Sequence, residues 1–233
     1  MNSVDFAQVV RQISVLALPA IFAITFHEAA HGFVAYQRGD DTAWRMGRVT
    51  FNPVRHIDPI GTILIPLVLL FANTGFFFGY AKPVPVSASR LHHPRIDMVW
   101  VALAGPMTNV LLAIVSALLF YVLPYVPDLG YAWLHAVLVK SIQFNILLAV
   151  FNMLPLPPLD GGRVAVGLLP DMLAFPLARL ERYGMFIIVG LLFILPMIGD
   201  RLNMDWNVLG YVIETPANWL LRAIVWLTHA PLV

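Results

Sequence analysis

The sequence predicts an all-α polytopic membrane protein: a bundle of about four to six transmembrane helices, with a short β or re-entrant membrane-associated element between the first two core spans. Three observations predict it. Hydrophobic residues make up 60% of the 233 positions and charged residues only 12%, whereas a soluble domain is nearer half apolar and a quarter charged. Apolar stretches long enough to cross a bilayer recur along the chain. Basic residues gather in three clusters beside the ends of those stretches, the pattern of cytoplasmic loops.

The first apolar stretch is 13–36, and its charged interruption, His27 and Glu28, lies past its middle. Asp5 and Arg11 precede it, which is unlike the basic start and small-residue cleavage site of a signal peptide. It ends at Gln37-Arg38-Gly39-Asp40-Asp41, a helix stop. A polar, turn-rich stretch follows over 42–61, with a short strand expected at 47–51. Residues 63–78 are apolar again but broken by Pro66 and Gly75, and they run into Lys82-Pro83-Val84-Pro85-Val86. A second strand is expected within 76–86. The next span is 98–126, carrying Ala104-Gly105-Pro106 and Asn109, and after a turn the next is 131–155. Leu156-Pro157-Pro158-Leu159-Asp160-Gly161-Gly162-Arg163 breaks the helix. Residues 164–182 are interrupted and partly amphipathic, 183–198 are apolar and short, and 206–227 either span or lie on the surface, with Glu214, Pro216 and Arg222 inside.

Orientation follows from the basic clusters at 38–55, 82–95 and 163–182. All three are expected on the cytoplasmic side. If 63–78 crossed fully, the first two clusters would face opposite sides, so that segment reads as re-entrant. The span at 13–36 then runs inward, 98–126 outward and 131–155 inward. Two parallel spans therefore bring His27, His31 and Asp160 toward the same end.

The formal net charge is +1, so no strong field exists to recruit nucleic acid. There is no cysteine, which excludes thiolate-ligated metal and leaves His, Asp and Glu as zinc donors. In Phe26-His27-Glu28-Ala29-Ala30-His31-Gly32 two histidines stand one helical turn apart on one face. That is the H-E-x-x-H pattern, in which both imidazoles hold zinc and the glutamate serves as base. His and Glu at membrane depth are expensive and usually functional. A catalytic zinc needs a third protein ligand. His56, Asp58, His92, His93, Asp97, His135, Asp160 and Asp171 are the candidates. Asp160 stands out because the Pro-rich bend can aim its carboxylate into the bundle; its alternative reading is a turn or cap aspartate.

These residues together resemble the site-2 protease family of intramembrane zinc metalloproteases, in its compact prokaryotic form. His27-Glu28-Ala29-Ala30-His31-Gly32 and Asn152-Met153-Leu154-Pro155-Leu156-Pro157-Pro158-Leu159-Asp160-Gly161-Gly162 carry most of the likeness. Ala104-Gly105-Pro106-Met107-Thr108-Asn109, Gly47-Arg48-Val49-Thr50-Phe51-Asn52-Pro53 and Lys82-Pro83-Val84-Pro85 add to it. The resemblance implies one catalytic Zn2+ on His27, His31 and Asp160, with Glu28 as the general base. It implies transmembrane proteins as substrates and a multi-pass location in the cell membrane, the active site toward the cytoplasm. By the same likeness Asn152 contacts substrate backbone, with helix–helix hydrogen bonding as its alternative. Asn109 is open between substrate contact and packing. Gly105 beside Pro106 is expected to let two helices approach closely.

The turn at 126–130 has no room for the PDZ domain of many relatives, and the residues after 165 are too apolar for a nucleotide-sensing domain. The chain is therefore read as one polytopic metalloprotease domain over 1–233, core 13–165 and C-terminal helices 166–233. Substrate selection falls to the membrane core, the re-entrant segment or a regulatory membrane partner. His92-His93 read as exposed interfacial residues, against a regulatory metal site. Two rival functions use the same ligands: a metal transporter, which would need polar sites strung across the bilayer, and an inactive scaffold, which would have lost Glu28 or a ligand.

Overall fold

In the computed structural model, residues 6–64, 68 and 82–231 are described. The first helix, α1 (Phe6–Gln37), runs through the first apolar stretch and holds Pro19 within it. Its end is set by Gly39, whose φ of +105° suits glycine. There the Asp40 N–H donates to the Ala35 carbonyl at 2.9 Å and the Gly39 N–H to Tyr36 at 3.2 Å, closing the last orphan carbonyls. A single turn, α2 (Thr42–Arg45), follows. The long α3 (Pro94–Leu118) starts with proline, which fits a first helical position, and continues as a tighter turn over Leu119–Tyr125. Then come α4 (Asp128–Asn152), α5 (Asp160–Leu168) and α6 (Asp171–Arg179). Helix α7 (Glu181–Val189) passes through a wider turn into α8 (Leu195–Arg201), and the two form one apolar rod over Glu181–Arg201. The last helix is α9 (Val208–Thr228).

Among the described residues, four helices are long and apolar enough to cross a membrane: Val10–Gln37, Pro94–Tyr125, Asp128–Asn152 and Glu181–Arg201. This agrees with the all-α polytopic reading. Helix α9 forms over the last apolar stretch and packs Ile224 into a core with Ala113 and Ala117 of α3 and Leu138, Ile142 and Ile146 of α4. The small side chains of α3 let its neighbours come close.

Three contacts fix how the first three long helices run. Trp133, near the start of α4, donates to Ser14 near the start of α1 at 2.9 Å. Arg38, just past the end of α1, meets Asp97 in the first turn of α3 at 3.4 Å and lies over the Trp100 ring. So α1 and α4 are parallel and α3 is antiparallel to both. The bend after α4 folds tightly: a Cβ on Gly161 would sit 2.2 Å from the Met153 carbonyl oxygen, and one on Gly162 as close to the Pro157 nitrogen. Only glycine lets α5 begin there.

The chain between α2 and α3 departs from expectation. Residues 47–51 form a turn and bends instead of a strand. Gly47 turns the backbone at φ +64°, and side chains take the groups a neighbouring strand would have taken. His56 bonds the Thr50 carbonyl through Nε2 at 2.9 Å, and Arg48 reaches the Lys82 carbonyl at 2.6 Å. No strand occurs among the described residues. Most of the expected re-entrant segment 63–78, and of the second strand candidate 76–86, lies outside them. Yet Phe51 stacks on Phe26, ring centroids 4.4 Å apart. At 1.5 Å per residue, Phe26 stands about 16 Å along α1 from its end. Irregular chain thus lies against α1 about three turns from its end.

Candidate metal centre

His27 and His31 project from α1 on successive turns, their rings edge to face with centroids 4.6 Å apart. Their Nε2 atoms are 3.0 Å from each other. Asp160, the first residue of α5, brings Oδ2 to 3.2 Å from His27 Nε2 and 3.4 Å from His31 Nε2. All three residues are buried, at 5%, 8% and 7% exposure. His27 stands about 15 Å along α1 from Gln37.

Hydrogen bonds on the far side of each ring decide what the near side offers. His31 Nδ1 lies 2.7 Å from the Val101 carbonyl, which can only accept. His27 Nδ1 lies 2.7 Å from Asn109 Oδ1, likewise an acceptor. Both Nδ1 atoms therefore carry the hydrogen and both Nε2 atoms present bare lone pairs. Asp160 Oδ2 faces them with no hydrogen-bond partner of its own. Three buried lone-pair donors pointing at one spot repel one another unless a cation lies between them. Donors on a tetrahedral zinc, at bonds of about 2.0–2.1 Å, stand about 3.3 Å apart. Separations of 3.0, 3.2 and 3.4 Å fit that edge. The donor set fits zinc in type as well, being two imidazoles and a carboxylate.

Gly105 of α3 forms the floor. A Cβ there would sit 2.5 Å from His27 Cε1 and from His31 Nε2. The close approach expected of this glycine is thus to the two imidazoles. Gly105→Ala should push the rings apart and weaken zinc binding about tenfold or more, read by competition with a chromogenic chelator. Unchanged affinity would mean that the rings can yield.

Glu28 is not one of the three converging donors. Its Oε2 accepts from the Val84 N–H at 2.8 Å. The segment 82–87 lies against α1 as a strap held by side chains and one backbone bond. Lys82 N–H donates to the His56 carbonyl at 3.0 Å, Arg48 donates to the Lys82 carbonyl, and Ser87 N–H donates to Asp40 at 2.6 Å. Burial disfavours the Asp40 charge, but bonds from Thr42 and Ser87 and the nearby Arg90 outweigh it and hold its carboxyl below the usual carboxylate range.

Of the remaining candidates, Asn109 is brought to the centre and Asn152 is not among its hydrogen-bond partners. Asn109 is fully buried and its amide is taken up by His27, Ala23 and Asn145. Asn152 donates to the Leu148 carbonyl of its own helix at 3.0 Å. Asp97 pairs with Arg38, Asp171 with Arg95, and His135 lies edge-on to Phe120. Among the described residues only His27, His31 and Asp160 form a group able to hold a metal. Sequence reasoning missed Asn145 and the Val84 N–H. Asn145 was visible as a polar residue within an apolar span, whereas a backbone donor leaves no mark in the sequence.

Comparison with known proteins points to zinc metalloproteases. The model of Peptidase family M50 matches residues 129–195, which include Asp160. The "Putative zinc metalloprotease YwhC" of Bacillus subtilis is 40% identical over 189 residues, 78% of this chain and 81% of that one. A protein of the same designation from Methanocaldococcus jannaschii, MJ0611, is 33% identical over 161 residues, 69% of this chain and 72% of its own. Rip2 of Mycolicibacterium smegmatis, again so designated, is 28% identical over 173 residues, 74% of this chain and 64% of its own. No solved structure matches the chain significantly.

Proposed function

The chain belongs to peptidase family M50, and from that premise we propose that it is an intramembrane zinc endopeptidase that cuts peptide bonds in transmembrane segments of other membrane proteins. One observation carries the reading. Two bare imidazole nitrogens and a partnerless carboxylate oxygen converge, at zinc-ligand spacing, inside a bundle of membrane-length helices. His27, His31 and Asp160 would hold the ion. Zinc, when bound, supplies Lewis acidity toward water and the scissile carbonyl. Glu28, next to His27 in the chain, takes the proton from the attacking water and delivers it to the leaving amine. The Val84 N–H fixes one oxygen of that carboxylate and leaves the other for the proton.

A substrate helix must unwind before its carbonyl is accessible. Segment 82–87 is irregular chain beside Glu28 and offers a surface along which an unwound peptide could pair by strand addition. Asn152, the last residue of α4 before the bend that carries Asp160, would bind substrate backbone once its amide leaves the Leu148 carbonyl. The three basic clusters support a multi-pass location in the cell membrane with the centre toward the cytoplasm.

The purified protein should hold about one zinc per chain and cut a model transmembrane peptide in detergent or vesicles. A strong chelator should stop cleavage and added zinc restore it. Cleavage that survives complete zinc removal would sink this reading.

A further inference from the structure

We propose that Asn109 and Asn145 are positioning residues that hold His27 in the one tautomer able to offer Nε2 to a metal. Their hydrogen bonds have a direction, and each link follows from the one before. The Ser141 carbonyl can only accept, so Asn145 turns Nδ2 toward it at 2.9 Å. Asn145 Oδ1 is left facing Asn109, which must present its own Nδ2, at 2.9 Å. The other hydrogen of that nitrogen goes to the Ala23 carbonyl at 3.1 Å. Asn109 Oδ1 is thereby left for His27, and an oxygen without hydrogen obliges Nδ1 to carry the proton.

The relay joins three helices: Asn145 on α4, Asn109 on α3 and His27 on α1. It is dry. Asn109 is 0% exposed and Asn145 1% exposed. Amides buried among apolar helices are expensive unless every hydrogen bond is made, so a flipped Asn109 is strongly disfavoured. Turning it over would set its NH2 against the Nδ1–H of His27 and its oxygen against the Asn145 oxygen. His31 has no such relay, because a backbone carbonyl sets its tautomer directly. The two histidines are thus oriented by different means, and only His27 depends on side chains.

The inference rests on the zinc reading of the centre and is independent of peptidase activity. It is tested on 15N-labelled protein in detergent, metal-free, with His27 assigned by its replacement. Wild type should show the nitrogen shifts of the Nδ1–H form. Asn109→Leu removes the acceptor, so His27 should move to the Nε2–H form or a mixture. Its zinc affinity by chelator competition should fall about 10- to 100-fold. Asn109→Asp keeps an acceptor oxygen toward His27 and should retain the Nδ1–H form, while its second oxygen, set against Asn145 Oδ1 and the Ala23 carbonyl, costs stability. Asn145→Leu touches no ligand and should shift both readouts part of the way; it carries the test if Asn109→Leu does not fold. Unchanged tautomer and unchanged affinity in the leucine variants would overturn the relay. A wild-type protein that binds no zinc would instead remove the zinc reading, while the tautomer shifts still decide the relay.

Discussion

Replacing Glu28 by glutamine is expected to end peptide-bond cleavage while leaving the fold and the zinc content intact. Glu28 is not among the three converging donors, so the ion should not feel the change. The Val84 N–H donates to one carboxylate oxygen, and a glutamine carbonyl oxygen can accept the same bond. Shape and strap survive; only the ability to take a proton is lost. General-base groups contribute about 100- to 10,000-fold in rate, so turnover of a membrane peptide should drop by that order. The checks are zinc analysis, thermal melting and a timed cleavage assay run side by side. Retained turnover would remove Glu28 from the chemistry. Glu28→Ala offers a contrast, since it loses the proton acceptor and the anchor for Val84 together.

The second large effect concerns Asp160. Asp160→Ala should reduce zinc from about one ion per chain to a small fraction, because a catalytic site keeps only three protein ligands. The same substitution should change the melting temperature of the metal-free protein little. Without an ion, the Asp160 oxygen shares at most a proton with the nitrogens 3.2 and 3.4 Å away, so the folded state depends on it far less than the metal does. A ligand and a turn residue are thereby separated by two measurements. Loss of zinc with an unchanged metal-free melt identifies the ligand. A full zinc complement with a lowered melt would identify a structural aspartate.

Much of this centre was legible in the chain. The i, i+4 histidines needed only helical periodicity, and the Pro-rich, Gly-Gly bend marked Asp160 as unusual. The direction of three spans followed from charge asymmetry, and it is what put Asp160 at the same end as the histidines. Other parts were illegible for physical reasons. Asn109 and Asn145 are amides in apolar helices; that they point at one another depends on helix rotation, which apolar faces all round do not specify. Gly105 signalled close approach but not to what. The strand expected at 47–51 failed because Arg48 and His56 turn inward and take up the local backbone groups. The Val84 contact to Glu28 has no signature at all, since any residue but proline brings an N–H.

The descent of chain beside α1, marked by Phe51 on Phe26, bears on a problem every hydrolase in oil must solve. Each turnover consumes a water molecule, and hydrocarbon holds almost none. A continuous helix would seal its polar atoms behind side chains. A bend instead puts Asn52, Asp58 and the buried Arg48 and His56 in the segment whose Phe51 stacks beside the helix that bears the histidines. Such a file of polar groups can be wetted from the headgroup region inward. On the proposed function, hydration of the centre, and with it the rate of replenishing the nucleophile, would be governed by this loop.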